Sequence, residues 1–252
     1  MRTLSIDCGG SGIKGCTLGA DGGLLSERIR VKVNYPLSPR SFLGILDSIA
    51  QQSATFDRAT IGLPGIVRHG QVVHTPHYPR LAGPRTEIDQ DLAQAWAHWD
   101  LAGELRTRWG RDVMVLNDAE MQGAAVVSGI GLEVMLTLGT GLGCAIFDGG
   151  SLAPKLELSH ATVRKGQIYD QWLGAEARRR LGVKKWSRRI HTMLAELRPV
   201  FWWDRVYLGG GEAKRVVGRL PHDVVRVPNI MGIVGGARAW ELAEASNSRR
   251  AG

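Results

Sequence analysis

Apolar positions along the chain follow two patterns. Over residues 91–109 they recur at helical spacing. Leu92, Trp96, Trp99, Leu105 and Trp109 lie roughly on one stripe, which predicts an amphipathic helix with its tryptophans in the core. Elsewhere they come in short, nearly unbroken runs ended by turn residues, as buried strands do. These runs predict strands over residues 4–7, 112–116 and 205–208, and a helix over residues 119–128. No apolar run approaches the roughly 20 residues that a membrane helix needs.

The turns between these runs carry most of the chemistry. Gly10-Ser11-Gly12-Ile13-Lys14-Gly15 spells G-x-G-x-x-G after the first strand, with Asp7 just ahead of it. A dinucleotide site needs a helix straight after the glycines, so that the pyrophosphate meets its N-terminus. Here the residues to Gly19 read as a second strand. Asp21-Gly22-Gly23, a tight-turn signal, then leads to a third at Leu24-Leu25. The dinucleotide match lacks its context and is set aside. A P-loop is excluded too, because G-x-x-x-x-G-K-[ST] does not occur.

The arrangement returns at residues 136–152, again as strand, glycine loop, strand and a turn, Asp148-Gly149-Gly150. It predicts an internal duplication of strand–glycine-loop–strand units. A third cluster, Gly209-Gly210-Gly211, follows the strand over residues 205–208. Any one cluster is ordinary turn chemistry. Three together, two of them matching hairpins, favour a nucleotide or phosphate cleft between two related halves, since glycine lets backbone N–H groups approach phosphate oxygens.

Between the hairpins, Asn117-Asp118 falls at the carboxyl end of the strand over residues 112–116. Ligands of open α/β sheets gather there. Asp118 suits a helix cap and a catalytic carboxylate alike, and the flanking glycine loops favour catalysis.

Bulk properties add limits. A chain of 252 residues makes one large domain or two small ones, and 44% hydrophobic and 22% charged residues are ordinary for a globular protein. The first strand begins at the N-terminus, so no signal peptide is expected, and the chain is expected in the cytoplasm. Cys8, Cys16 and Cys144 have no zinc spacing and read as small buried residues. The net charge of +8 is concentrated in residues 178–198, where eight lysines and arginines stand against one acid, Glu196. Such a run is either a solvated helical face or a track for a polyanion. Nucleic acid is not expected, because no aromatic platform or binding motif accompanies the charge.

Five segments, "IDCGGSGIKG", "VLNDAEMQGAA", "LTLGTGLGCAIFDGGSLAPKLELSH", "VYLGGGEAK" and "NIMGIVGGA", follow in this order. Together they resemble the ROK sugar-kinase family, most closely its polyphosphate/ATP glucokinase branch, over about the whole chain. The resemblance implies an actin-like ATPase (ribonuclease H-like) fold, two related α/β domains around a central cleft. The first would span residues 1–117, completed by a C-terminal helix near residues 235–245, and the second residues 118–234.

The resemblance also implies roles. Asp7, Gly9, Gly10, Ser11, Gly12 and Lys14 would form a first phosphate loop, with Asp7 near Mg2+ and contacting it through water. Gly139, Thr140, Gly141 and Gly143 would form a second loop, in which a side chain at Gly141 would crowd a phosphate. Gly209, Gly210 and Gly211 would form the adenosine-side turn. Asp118 matches the general base, and Asn117, Pro64, Gly65, Glu157 and His160 match sugar contacts. ATP, inorganic polyphosphate or both would be the donor, and a hexose the acceptor, with glucose the first guess. No zinc is expected, because the family's cysteine cluster is absent. A homodimer is the expected assembly, without nucleic acid or membrane. No DNA-binding module is expected ahead of the kinase core.

Three positions depart from the family pattern. Ser159 replaces the glycine before the histidine, Lys155 stands where the polyphosphate branch usually has asparagine, and His77 lies about where other members carry a sugar-binding asparagine. His74 and His77 make a poor chelate with a rigid proline between them. The departures bear on glucose more than on kinase activity. The alternative reading is a catalytically weak sugar- or phosphate-binding sensor on the same fold.

Overall fold

The computed structural model describes residues 1–83, 86–228 and 230–251. Asn229, which opens the last quoted segment, lies outside the described residues. The chain divides into two compact units, Met1–Ala125 with Gly232–Glu241, and Val126–Met231 with the residues from Leu242 onward.

In the first unit, β1 (Thr3–Gly9) and β2 (Gly12–Leu18) form the expected antiparallel hairpin, closed where Gly9 faces Gly12. The strand after it is β3 (Ile29–Lys32), paired antiparallel with β2. Leu24, read from the sequence as part of a third strand, makes only an isolated bridge to Leu18. Helix α1 (Pro39–Gln52) follows a Ser38 cap that accepts from the Ser41 N–H at 3.1 Å, and it buries Phe42, Leu43, Leu46 and Ile49. Strand β4 (Arg58–Leu63) lies parallel to β1, and β5 (Ile66–Arg68) and β6 (Gln71–His74) form a separate small hairpin.

The helix predicted over residues 91–109 is two helices, α2 (Gln90–Trp96) and α3 (Leu101–Trp109). Between them His98 takes a left-handed φ of 58°, and Asp100 caps α3 by accepting from the Gly103 N–H at 3.0 Å. A cap in the middle of an apolar stripe leaves the stripe intact, so the tryptophans still face the core. Trp96 is buried against Phe42 and Tyr78, with ring centroids 5.2 Å away in each case, and donates to the Leu37 carbonyl at 2.8 Å. Strand β7 (Asp112–Asn117) adds parallel to β4, and helix α4 (Asp118–Ala124) follows at once. This helix stops short of the predicted residue 128. The first sheet runs β3-β2-β1-β4-β7.

The second unit repeats that order. β8 (Leu132–Leu138) and β9 (Leu142–Asp148) form the second glycine hairpin, and β10 (Ser151–Leu152) pairs antiparallel with β9. After a small hairpin of β11 (Thr162–Arg164) and β12 (Gln167–Ile168) come helices α5 (Tyr169–Leu173) and α6 (Ala175–Phe201). β13 (Arg205–Gly209) lies parallel to β8, and β14 (Val224–Arg226) parallel to β13. The sheet is β10-β9-β8-β13-β14, so the duplication read from the glycine hairpins extends to the whole strand order.

The basic residues 178–198 lie on α6, which breaks its helical geometry at Gly182 (φ 75°). One face of α6 buries Trp186, Ile190, Met193, Leu194 and Leu197 in the core of this unit. The cations therefore take the other positions. Some are held in ion pairs, Arg178 with Glu212 and Arg198 with Asp223, while Arg179, Arg180, Lys184, Lys185 and Arg188 are exposed.

Helix α7 (Met231–Ala251) ends the chain. In the first unit its opening turns lie against β1 and β4. Ser5 donates to the Ile233 carbonyl at 2.6 Å and Thr60 to the Gly236 carbonyl at 2.7 Å. A Cβ at Gly235 would stand 1.7 Å from the Met121 oxygen, and one at Gly236 2.1 Å from the Ser5 hydroxyl. The glycine pair lets the helix come this close. All three cysteines are free and buried. Among the described residues no helix is long and apolar enough to cross a membrane.

Trp96→Ala is expected to lower stability by about 3–5 kcal/mol, the usual range for emptying a buried tryptophan site. Urea unfolding followed by circular dichroism measures it. A loss below about 1 kcal/mol, the size of an average substitution, would show that this aromatic cluster does not anchor the first unit's core.

Candidate active site

In the first unit three parallel strands end side by side. Asp7 of β1 pairs with Gly62 of β4, Gly62 with Leu116 of β7, and Leu63 with Asn117. Asp7 also faces Lys14 across the β1–β2 hairpin, with Nζ 3.9 Å from its carboxylate. Burial pushes the Asp7 carboxyl above the usual range, and Lys14 offsets this only in part.

The first glycine loop is tied back by two tyrosines that the sequence gave no reason to select. The Tyr35 hydroxyl donates to the Gly10 carbonyl, and the Tyr78 hydroxyl makes a long 3.5 Å contact to the Gly9 carbonyl. A Cβ on Gly10 would meet the Tyr35 hydroxyl at 3.3 Å and the His77 ring at 3.6 Å. His77 is thus beside the loop, and its Nδ1 is buried with no hydrogen-bond partner among the described residues. Burial, followed by the charges of Arg80 and His74, lowers its pKa to about 4, so the ring is neutral near pH 7.

Asn117 and Asp118 form the corner from β7 into α4. The cap falls to Asn117. Its side-chain oxygen accepts from the Ala119 N–H at 2.9 Å, and its own N–H donates to Glu120 at 2.8 Å, a capping box. Its amide nitrogen reaches the Gly65 carbonyl at 2.6 Å. Gly65 has a φ of 124°, and a Cβ there would stand 2.1 Å from the His74 oxygen, so the Pro64-Gly65 turn requires glycine. Asp118 is the first residue of α4, half-buried, with one oxygen 2.9 Å from the Ala119 N–H. Its charge and that of Asp7 both help raise the pKa of Cys8 and Tyr78, after the larger effect of burial. The first unit thus gathers Asp7, Lys14, Gly9 to Gly12, Pro64, Gly65, Asn117 and Asp118 at one end of its sheet.

In the second unit the loop of Gly139, Thr140 and Gly141 is closed by a bond from the Gly139 N–H to the Gly141 carbonyl at 3.0 Å, while Gly143 lies in β9 opposite Thr137. Asp170 of α5 accepts from the Leu142 N–H at 2.8 Å. A Cβ on Gly141 would stand 2.0 Å from that carboxylate. The requirement for glycine at 141 is therefore explained within the protein by Asp170, without invoking a phosphate. Gly210 (φ 84°) leaves no room for a Cβ, which would stand 2.3 Å from the Leu138 oxygen, and the Glu212 N–H donates to the same carbonyl at 3.0 Å. The turn of Gly209 to Gly211 is thereby docked on the end of the second hairpin.

Glu157 precedes a single 3₁₀ turn, Leu158–His160, and His160 ends it. Ser159 donates to Glu157 at 2.6 Å, a bond that glycine in its place could not make. Lys155 donates to the Cys144 carbonyl of β9 at 2.6 Å. Burial raises the Asp170 pKa, opposed by the Leu142 N–H; Glu157 raises it further and His160 lowers it, which places all three charges in one neighbourhood. Asp170 escaped the sequence reading because its partner lies 28 positions away.

Among the described residues no three His, Cys, Asp or Glu side chains cluster as a protein-built metal cage would require. The desolvated Asp7 carboxylate matches a different mode, in which Mg2+ takes one or two carboxylates and completes its shell with phosphates and water.

Comparison with known proteins identifies the family. The model of the ROK family matches residues 3–154. A polyphosphate glucokinase of Mycobacterium tuberculosis (strain CDC 1551 / Oshkosh) is 31% identical over 94% of this chain and 90% of its own length. The crystal structure of an inorganic polyphosphate/ATP-glucomannokinase from Arthrobacter sp. strain KM superposes with a TM-score of 0.77 at 28% identity, covering 97% of this chain and 99% of that one. A ROK family glucokinase from Streptomyces griseus, solved with glucose and AMPPNP, shares the fold with a TM-score of 0.72 at 19% identity, over 95% and 99% of the two chains. The chain belongs to the ROK family and has the actin-like ATPase fold of its sugar kinases.

The half-buried His77, with its Nδ1 enclosed, has a measurable consequence. Its folded pKa of about 4 lies below the ordinary 6.5, so between these values the unfolded chain binds a proton that the folded chain refuses. Stability is expected to fall as pH drops from about 6.5 toward 4, and His77→Asn should flatten that slope. An NMR titration should place the His77 ring near pH 4. A midpoint near 6.5 would refute its burial as a neutral group.

Proposed function

We propose that this ROK-family phosphotransferase transfers a phosphoryl group from inorganic polyphosphate, ATP or both to a hydroxyl of a hexose, with glucose the first acceptor to test. The observation that carries the reading is the corner of Asn117 and Asp118 at the carboxyl end of β7, in register with the strand end that bears Asp7. The polyphosphate and ATP chemistry of the relatives supports the choice of donors.

Phosphoryl transfer depends mainly on alignment and on neutralising charge. In this reading Asp118 accepts the proton of the attacking hydroxyl. The sugar oxygen bonds to the terminal phosphorus as the bond to the bridging oxygen breaks, releasing ADP or a shortened polyphosphate. Backbone N–H groups of Gly9 to Gly12 and of Gly139 to Gly143 hold phosphate oxygens, and Lys14 adds a positive charge. Gly209, Gly210 and Gly211 serve the adenosine side of a nucleotide. Mg2+, when bound through Asp7, supplies further neutralisation of the phosphates. Asn117, Pro64, Gly65, Glu157 and His160 recognise sugar hydroxyls, with the Ser159 hydroxyl fixing the Glu157 carboxylate. Because Ser159 and His77 alter the family's sugar pattern, the acceptor is best identified with a panel of hexoses and amino sugars, each tested with ATP and with polyphosphate.

Asp118→Asn is expected to lower turnover by about 10²–10⁴-fold, the range for losing general-base help, while donor and sugar dissociation constants change little. Near-wild-type turnover on the true acceptor would remove Asp118 from the mechanism. Polyphosphate is expected to lose efficiency with added salt more steeply than ATP, since a longer run of charges exchanges more counterions. Equal salt dependence in steady-state kinetics would count against an extended donor contact.

A further inference from the structure

A surface depression of about 460 Å³ in the second unit is lined by cations from two separate elements. The β11–β12 hairpin supplies Arg164 and Lys165, and α6 supplies Arg188 and Arg189. No carboxylate lines it among the described residues. The fold brings two of these charges together on one aromatic ring. Arg164 and Arg189 each stand 5.5 Å from the Trp172 ring centroid, and Arg189 donates to the Trp172 carbonyl at 3.0 Å. Lys165 and Gly166 sit in a tight turn with φ of 47° and 73°, which fixes Lys165 at the hairpin tip. Glu196 pairs with Arg164 at 2.8 Å, so the cluster keeps a net positive charge carried mainly by Lys165, Arg188 and Arg189. Burial lowers the Arg189 pKa, and Arg180 and Arg164 lower it further, as expected where like charges are crowded. Cations gathered this way raise the local concentration of anions.

The chemistry of the depression selects among anions. Trp172 is buried and its ring is occupied by two guanidinium groups, so it offers no open face for a nucleobase to stack on. A small anion satisfies one or two of the four cations. A flexible chain with a negative charge on every internal phosphate can reach several of them at once. The depression is also built on the same stretch as the second glycine loop. Helix α5 carries both Trp172 and Asp170, which holds the Leu142 N–H, and the Ala175 N–H that opens α6 donates to the Gly139 carbonyl at 2.9 Å.

We propose that this depression is a binding site for an inorganic polyphosphate chain, holding the length of a long donor beyond its reacting phosphates. The inference rests on polyphosphate being a donor, as proposed above. It assigns the charge of residues 178–198 to two of its members, Arg188 and Arg189, together with two hairpin cations outside that run.

The test is equilibrium binding of a long inorganic polyphosphate, with tripolyphosphate as the short control, to the wild type and to the double variant Lys165→Asp, Arg188→Glu. Both residues are exposed, and aspartate tolerates the left-handed turn position. The long-chain dissociation constant is expected to rise by about tenfold or more with a shallower salt slope, and the tripolyphosphate constant to change far less. The milder variant Lys165→Asn, Arg188→Gln should fall between, which guards against misfolding of the first. Unchanged long-chain binding in a folded variant overturns the site, even if the wild type uses polyphosphate as donor. Wild-type binding of the chain that the variant loses, with turnover on ATP alone, upholds the site and retires the donor reading. Tighter binding of single-stranded nucleic acid than of polyphosphate of matched charge also overturns it.

Discussion

Asn117 ends a strand and starts a helix in the same set of bonds, and the first unit's arrangement of chemical groups depends on that corner. Its side chain caps α4 through Ala119 and holds the Gly65 carbonyl, while its N–H is taken by Glu120. The bond to Gly65 is possible because that residue adopts a φ no side chain would tolerate so close to His74. Asp118 is consequently delivered to the first turn of a helix, at the strand ends where Asp7 also lies. A helix N-terminus favours negative charge, so the first turn of α4 is a suitable place for a carboxylate.

The two glycine hairpins share a strand order but are held by different means. The first is tied back by tyrosine hydroxyls on its carbonyls. The second is held by a carboxylate on the Leu142 N–H and by the docked turn at Gly210. Both solutions fix a loop whose glycines could otherwise adopt many conformations. The glycines serve two purposes that a sequence cannot separate. Some, such as Gly141 and Gly210, are required by neighbouring protein atoms, while a Cβ on Gly139 or Gly211 would meet nothing within 4 Å.

Helix α6 shows the same division among cations. Arg178 and Arg198 are engaged by Glu212 and Asp223, and Arg189 lies on Trp172, whereas Arg188 is exposed beside the hairpin cations. The amphipathic pattern dictates which face is buried. It does not dictate which of the remaining cations find partners, since those acids lie 25 to 34 positions away in the chain.

Local signals in the sequence were enough for the hairpins, the duplication and the tryptophan core. Glycines between apolar runs and paired Asp-Gly-Gly turns act over a few residues, and a helical stripe buries its apolar face even when a cap at Asp100 splits it in two. Asn117-Asp118 was legible for the same reason, a polar pair at the end of an apolar strand, although capping went to Asn117 rather than Asp118. The roles assigned to Glu157, His160 and the glycine loops came from the resemblance to the ROK family, because no local pattern distinguishes a sugar contact from a surface residue. Tertiary structure alone decided that Tyr35 meets Gly10, that Asp170 fills the space at Gly141, and that Lys165 and Arg188 share one depression. Each of these joins residues more than 20 positions apart, and such pairings are set by how strands and helices pack once formed, which side-chain periodicity does not encode.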